Sequence, residues 1–298
     1  MRIATLDRFE GPDSTVAGEL GRERASGGGL ALVDGDRVLP VAQPGAPASM
    51  AALAAAGVAA LDALGSWAGS QADECWLPLA SVRLGPAVAD PGAIYTIGLN
   101  YRDPIGDDDL TRPPRPLVYG KAATAVAGHG DLLAWDPSLT ANVDPEVELG
   151  VVIGAEAWDV PVEEALAHVF GYTVINDVSS RDPWLDGDQW LLGKSMPGFA
   201  PVGPWVVTRD ALDPRDLHLW CELNGEPLQE GRTSAMRFGI AEIVSFLSRH
   251  ARLRPGDLIA TGTPTRLPTP PGPDRHLAPG DSVTVRIEGI GELTTHIA

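Results

Sequence analysis

The chain has 298 residues, of which 44% are hydrophobic, so it can bury a sizeable core and is not expected to be disordered. A formal net charge of −18 repels phosphate backbones and anionic lipids, which argues against nucleic acid and membrane surfaces as partners. The two cysteines form no CxxC motif, which argues against a disulfide framework or a thiolate metal site. We expect no membrane span and no signal peptide, and hence a cytoplasmic protein.

The first part of the chain predicts a hairpin followed by a helix. Residues 30–41 form two apolar-rich runs around a DGD turn, which is typical of a β-hairpin. Apolar residues then recur at helical spacing and predict a helix over about 48–67, although Gly57 weakens that prediction.

Proline and glycine punctuate residues 78–92 and predict the main boundary of the chain. We therefore expect a small N-terminal domain over residues 1–85 and a larger domain over residues 86–298. Two Pro-rich stretches of the larger domain are expected to be loops, and the second, residues 264–279, is long enough for a functional role.

The larger domain is predicted to be rich in β-strands. Apolar or β-branched runs bounded by turn residues occur at 93–97, 148–153, 172–175, 205–208, 217–223, 258–260 and 282–287. One helix is expected to begin near Pro161, and another carries Ile240, Ile243, Val244 and Leu247 on one face. Strands outnumber helices and do not alternate with them regularly, so the sequence predicts a β-rich α+β fold.

Two glutamates in one predicted strand are the strongest functional signal. Residues 143–154 read VDPEVELGVVIG, and a strand there places Glu146 and Glu148 on one face, about 6.6–7 Å apart. Such close carboxylates raise each other's pKa unless a cation lies between them, and oxygen ligands suit Mg²⁺, Mn²⁺ or Ca²⁺. Asp177 follows another predicted strand and could supply a third oxygen. The alternatives are a solvent-facing strand edge for the glutamates and a turn cap for Asp177.

Eight segments together resemble the fumarylacetoacetate hydrolase family. In family order they are GLNYRD (98–103), KAATAVAGHGD (121–131), DPEVELGVVIG (144–154), GYTVINDVSSRD (171–182), GKSMPGFAPVGPWVVT (193–208), ELNGE (222–226), PGDLIATGTP (255–264) and PGDSVTVRIEGIGEL (279–293). The resemblance covers residues 93–298, about two thirds of the chain. It implies a mixed β-sandwich roll with a small, variable N-terminal domain, and it implies a homodimer.

The resemblance also implies a metal site and a substrate class. Residues corresponding to metal ligands are Glu146, Glu148 and Asp177, while Lys194 matches a lysine near the substrate and Thr263 lies in the matching GTP turn. The usual substrates are 2-oxo acids or acylpyruvates. A 2-oxo acid can chelate Mg²⁺ or Mn²⁺, which stabilises an enolate when a neighbouring bond breaks.

Several other side chains are candidates for the same site. Lys194 could add positive charge or move protons, or could simply pair with Asp177 or Asp182. Four further residues could bind a substrate carboxylate or could make ordinary structural contacts, namely Tyr101, Arg102, Lys121 and Arg181.

The sequence departs from the family pattern at its catalytic loop. Family hydrolases place a histidine, and three residues later a glutamate, after the NY motif, whereas Pro104 and Asp107 stand here. Trp184 replaces a family glutamine and could stack on an unsaturated substrate or merely pack. Of the histidines, His129 and His276 are weak candidates for a replacement base.

Three functional classes follow from these observations. The first is a metal-dependent hydrolase that cleaves a C–C bond of an acylpyruvate or related 2-oxo acid, with Asp107 or a metal-bound hydroxide activating water. The second is an isomerase, decarboxylase or dehydratase acting on a 2-oxo acid, which needs no such histidine. The third is a member of the fold that binds a ligand without catalysis.

Overall fold

Most of the secondary structure belongs to two β-sheets. A computed structural model describes residues 1–8, 29–102, 113–182, 189–267 and 276–298, and it is a sheet-rich α+β structure. Over those ranges one sheet has 12 strands, a second has five, and two short strands pair separately. The predicted β-rich α+β class is confirmed.

The strands are numbered in chain order. The larger sheet comprises β1 (Arg2–Arg8), β2 (Leu30–Asp34), β3 (Arg37–Pro40), β4 (Leu77–Pro78), β5 (Arg83–Leu84), β6 (Ile94–Gly98), β7 (Leu117–Lys121), β8 (Val126–Ala127), β11 (Val147–Ile153), β12 (Val169–Asn176), β14 (Ala200–Thr208) and β17 (Leu258–Ala260). The smaller sheet comprises β9 (Leu132–Leu133), β15 (His218–Leu223), β16 (Glu226–Arg232), β18 (Ser282–Ile287) and β19 (Gly291–Ile297). The separate pair is β10 (Val143–Asp144) with β13 (Ser179–Ser180).

The larger sheet crosses the boundary predicted near residue 85. Its order is β4-β3-β2-β1-β14-β12-β11-β17-β6-β7, with β5 on β1 and β8 on β14. Strands β1 to β4 therefore extend the sheet of the following segment, through antiparallel pairing of β1 with β14. The division into domains at residues 85 and 86 stays a prediction.

The centre of the larger sheet is buried on both faces. Every residue of β11 and of β12 is buried, which explains why both read as nearly continuous apolar runs. Gly150 permits this packing, because a Cβ there would lie 2.8 Å from the side chains of Ile175 and Thr173. The predicted strand at 148–153 is correct in place, but the face that carries Glu148 is buried rather than solvated.

Two apolar layers flank β11. Leu149 and Val151 face a core shared with the smaller sheet, where Leu219 and Val283 pack, so the two sheets form a sandwich. Val152 faces the opposite core, which the helix Met50–Gly69 covers. Glu148, the carboxylate of β11, is consequently buried, with 2% of its surface exposed.

Four α-helices are described. They are α1 (Met50–Gly69), α2 (Val162–Ala165), α3 (Trp190–Lys194) and α4 (Ile240–Ser248). The predicted apolar face of α4 is buried, and the Glu242 side chain accepts a hydrogen bond from Gly239 N at 2.8 Å.

Helix α1 differs from its prediction in two ways. It begins after Ser49, whose Oγ accepts a hydrogen bond from Ala52 N, and Gly57 interrupts it with a φ of 71°. Its length and composition would also allow it to cross a membrane, with 22% of its most apolar window buried. Among its residues Met50 and Leu64 are anchored in the core.

Candidate metal centre and substrate pocket

Strand register brings three carboxylates together. In the antiparallel pair of β11 and β12, Val147 lies opposite Asn176, so Asp177 follows β12 directly beside Glu146. The Asp177 N–H donates to Glu146 O at 2.9 Å. One carboxylate oxygen from each of Glu146, Glu148 and Asp177 lies within 4.8 Å of the other two, which is a spacing that a single cation can bridge.

Two buried lysines hold opposite oxygens of Asp177. Lys121 Nζ lies 2.5 Å from Oδ1 and also donates to Val178 O at 2.9 Å. Lys194 Nζ donates to Oδ2 at 2.7 Å and to Ser179 Oγ at 2.6 Å. Burial alone would raise the pKa of Asp177, but the two ammonium groups outweigh it and lower that pKa to about 2. Asp177 is therefore an anion at neutral pH.

The pKa values of the two lysines are shifted in opposite directions. Burial lowers the pKa of Lys121 to about 8, although Asp177 opposes the shift. Burial also acts to lower the pKa of Lys194, but Asp177, Glu146 and Glu148 together raise it above its ordinary value. Lys194 is thus held as a cation at the base of the pocket.

Of the three carboxylates, Glu148 has the negative charge that neighbouring cations balance least. Burial, together with Asp177 and Glu146, raises the pKa of Glu148 well above its ordinary range. Gly262 N donates to its Oε2 at 2.7 Å, which supports the anion only in part. A divalent cation would relieve this repulsion, and an all-oxygen donor set suits Mg²⁺, Mn²⁺ or Ca²⁺, so the residues fit such an ion.

A pocket of about 480 Å³ opens over these carboxylates. Its polar wall contains Asp144, Arg181, Gln229, Thr263 and Arg266. Its apolar wall contains Ile97, Leu99, Tyr119 and Trp190. Lys194 lies between the two walls, beside the carboxylates.

Asp144 organises the polar wall. Arg181 Nε lies 3.5 Å from its Oδ2, Arg266 Nη1 lies 3.7 Å from its Oδ1, and His276 Nδ1 lies 2.9 Å from its Oδ1. Arg181 also pairs with Glu146. Both guanidinium groups of this wall therefore already have a carboxylate partner in Asp144.

One residue of the apolar wall, Leu99, has a left-handed backbone conformation. Leu99 has a φ of 53° and is 71% exposed, and a left-handed backbone costs a leucine roughly 1–2 kcal/mol. The next residue fixes it, because the buried Asn100 Nδ2 donates to Thr261 O at 2.7 Å and to Phe238 O at 3.1 Å. Tyr119 and Trp190 stack alongside, with ring centroids 4.5 Å apart.

Two buried hydroxyl groups face the pocket without a partner among the described residues. They are Tyr101 Oη, in a residue 6% exposed, and Thr96 Oγ1, in a residue 2% exposed. Burial and the nearby Glu148 raise the pKa of Tyr101, so its phenol remains protonated. Unpaired buried hydroxyls are rare in proteins and indicate a place for a ligand oxygen.

The structure places the sequence-predicted residues in three groups. Glu146, Glu148, Asp177 and Lys194 converge, and Tyr101, Arg181 and Thr263 line the pocket over them. Lys121 contacts Asp177, and Arg102 is exposed. Neither residue lines the pocket, although both were predicted to contact the substrate. Asp107 and Trp184 lie outside the described residues, as does Pro104.

Most residues of the pocket walls were not predicted from the sequence. Leu99, Tyr119, Trp190, Gln229 and Arg266 were not predicted to contact a substrate. Helical spacing could have indicated Trp190, which lies four residues before Lys194, with that ammonium 5.8 Å from its ring centroid. His129 accepts a hydrogen bond from Thr294 N and lies outside the pocket wall, whereas His276 reaches it only through Asp144.

Two packed sheets with an acidic cluster beneath a pocket define a class of sheet-rich α+β proteins with a candidate metal site. Within that class, the model of the fumarylacetoacetate (FAA) hydrolase C-terminal region matches residues 93–298. The chain belongs to the fumarylacetoacetate hydrolase family, as its sequence motifs indicated.

Relatives within the family have different activities. A protein of Burkholderia cenocepacia (strain HI2424), provisionally named as a hydrolase, is 42% identical over 226 residues, covering 74% of this chain and 79% of the relative. Fumarylacetoacetate hydrolase from Exiguobacterium antarcticum is 30% identical, with a TM-score of 0.82 over 100% of this chain and 99% of that one.

Two further solved structures represent two reaction types. Maleylpyruvate hydrolase from Sphingobium sp. SYK-6, in complex with manganese(II) and pyruvate, is 26% identical with a TM-score of 0.77, covering 100% and 99% of the chains. The 2-hydroxyhepta-2,4-diene-1,7-dioate isomerase of Mycobacterium marinum is 30% identical with a TM-score of 0.71, covering 100% and 98%.

Proposed function

We propose that the protein is a divalent-metal-dependent hydrolase that cleaves a C–C bond of an acylpyruvate or a related 2-oxo acid. The observation that carries this proposal is the convergence of Glu146, Glu148 and Asp177 beneath a pocket of about 480 Å³. The fold similarity to a hydrolase crystallised with manganese and pyruvate supports it.

The cation is proposed to be Mg²⁺ or Mn²⁺, with Ca²⁺ able to bind in vitro, because the donors are carboxylate oxygens. When bound, such an ion supplies Lewis acidity toward a ketone oxygen. The chain's own residues would then orient and stabilise the substrate. Lys194 places a buried ammonium where negative charge develops on a 2-oxo acid, and Tyr101 can donate its unpaired phenolic hydrogen.

Hydrolysis also requires a group that activates water. We propose Asp107 for this role, since proline cannot take a proton at position 104. Arg181 and Thr263, which line the pocket, are proposed to contact the head group of the substrate.

A second candidate is an isomerase, decarboxylase or dehydratase acting on a 2-oxo acid. Pro104 in place of the family histidine favours it, because these reactions need no activated water. A structural neighbour named as an isomerase supports it too. Lys194 would have the same charge-stabilising role in either reaction.

Product analysis distinguishes these reactions. The protein is stripped with a chelator, reloaded with Mg²⁺ or Mn²⁺, and incubated with acylpyruvates, oxaloacetate and unsaturated 2-oxo diacids, with products followed by NMR and mass spectrometry. Pyruvate plus a free carboxylic acid, formed only with metal, supports the hydrolase. Carbon dioxide or a shifted double bond supports the second candidate, and binding without any product supports a non-catalytic role.

Asp177→Asn tests the proposed cluster in the same assay, and Glu163→Gln is its matched control because Glu163 is exposed. Activity retained in Asp177→Asn would contradict the proposed site. We also propose that the protein is a homodimer. Its molar mass, measured by light scattering during size-exclusion chromatography, would test this.

A further inference from the structure

We propose that the pocket selects a 2-oxo acid whose far end is an apolar, planar group rather than a second carboxylate. The head group of this substrate rests on the proposed function. The tail is inferred from the two walls of the pocket, which differ in charge and in exposure.

The aromatic pair defines the start of the tail's path. Trp190 and Tyr119 stack with ring centroids 4.5 Å apart and an interplanar angle of 24°. Lys194 Nζ is 5.8 Å from the Trp190 ring centroid, so the aromatic surface begins next to the carboxylates and the head group. Gly98 makes room for it, since a Cβ there would lie 2.6 Å from Tyr119 Cε2.

Leu99 adds exposed apolar surface to the same pocket. Its side chain is 71% exposed although it lines the pocket. The buried side chain of Asn100 fixes the backbone that presents it. A ligand that covers this exposed apolar side chain binds more tightly, because removing apolar surface from water is favourable.

The polar wall favours a second carboxylate only weakly. Arg181 and Arg266 both lie within 4 Å of Asp144, and Arg181 also pairs with Glu146. Asp144 is not a proposed metal ligand, so its pairing with both guanidinium groups is expected to persist when a cation is bound. A carboxylated tail would have to compete with Asp144 for the same donors, whereas a planar apolar tail meets the exposed apolar surface of Leu99.

Binding of substrate analogues tests the tail separately from turnover. Oxamate carries the carboxylate and carbonyl of a 2-oxo acid without a cleavable C–C bond. N-phenyloxamate adds an aromatic tail, and N-oxalylglycine adds a carboxylated one. We expect Mn²⁺-loaded protein to bind N-phenyloxamate at least about tenfold more tightly than N-oxalylglycine in calorimetry.

Two variants locate the preference. Trp190→Leu, which keeps apolar bulk without the ring, and Leu99→Ser are expected to reduce the preference for N-phenyloxamate while affinity for oxamate stays within about twofold. Leu166→Ser is the matched control, because Leu166 is exposed and does not line the pocket. A change in Leu166→Ser equal to that in Leu99→Ser would overturn the assignment of Leu99.

The outcomes separate this inference from the proposed function. Oxamate binding with equal or tighter binding of N-oxalylglycine overturns the apolar tail and leaves the head-group site intact. Failure of oxamate itself to bind overturns the proposed function, and this inference with it.

Discussion

Lys121 and Lys194 hold the two oxygens of one carboxylate, Asp177, from opposite sides. They are the only two lysines among the 298 residues of the sequence. An ammonium is a compact donor with three hydrogens, and it fits a buried corner between a carboxylate and a backbone or hydroxyl oxygen better than a planar guanidinium.

This arrangement predicts that both lysines resist chemical modification in the folded protein. Their relative exposures are 4% and 5%, so reductive methylation under native conditions should leave them unmodified. Peptide mass spectrometry should find both methylated after denaturation. Native modification of Lys121 at a rate similar to that in the denatured chain would contradict the buried pairing with Asp177.

Lys121→Met is expected to destabilise the fold. Its side chain is fully buried, and the change leaves Asp177 Oδ1 without its ammonium partner. Breaking a buried ion pair costs about 3–5 kcal/mol of unfolding free energy, and we expect the lower end because Lys194 still pairs with Oδ2. Urea denaturation of Lys121→Met, Asp177→Asn and the double variant measures it. The double variant should regain part of the loss, and strict additivity would contradict the coupling.

Removal of one carboxylate is expected to weaken metal binding while the fold remains. Glu148→Gln keeps the volume of the side chain and removes the charge, so Mn²⁺ affinity in calorimetry should fall by at least about tenfold. Circular dichroism should be unchanged, and Glu163→Gln should bind Mn²⁺ like the unaltered protein. Full Mn²⁺ affinity in Glu148→Gln would remove Glu148 from the site.

Lys194→Ala is expected to lose turnover and to keep the metal. Lys194 contacts Asp177 and Glu146, but the carboxylates themselves are the proposed ligands, so Mn²⁺ should still bind. The loss of its ammonium near the reacting oxygen should reduce kcat by about 10²–10³. Turnover equal to that of the unaltered protein would assign Lys194 a purely structural role.

Local patterns singled out the acidic residues, and the family resemblance grouped them as candidate metal ligands. Glu146 and Glu148 have the two-residue period of one strand face, and Asp177 ends an apolar run, so both features are visible in a few neighbouring residues. Pairing of β11 with β12 places the three carboxylates together, and no pattern in the sequence gives that register.

Features that depend on distant contacts were not predicted. Lys121 contacts Asp177 across 56 residues of sequence, and Asn100 fixes Leu99 through oxygens of residues more than 130 positions away. Trp190 was missed as well, although its position four residues before Lys194 in helix α3 could have indicated it.

Gly150→Ala is expected to disturb the fold and the site together. A Cβ at this position would lie 2.8 Å from Ile175 and Thr173, so β11 and β12 would have to shift relative to each other. Overpacking of this kind costs about 1–3 kcal/mol of unfolding free energy. Because the same two strands align Glu148 with Asp177, Mn²⁺ affinity should fall in parallel. Gly120→Ala is the control, since its Cβ would meet only Ile94 O at 3.5 Å and should leave stability unchanged or slightly raised. A loss of stability without any loss of Mn²⁺ affinity in Gly150→Ala would show that the carboxylates tolerate the shift.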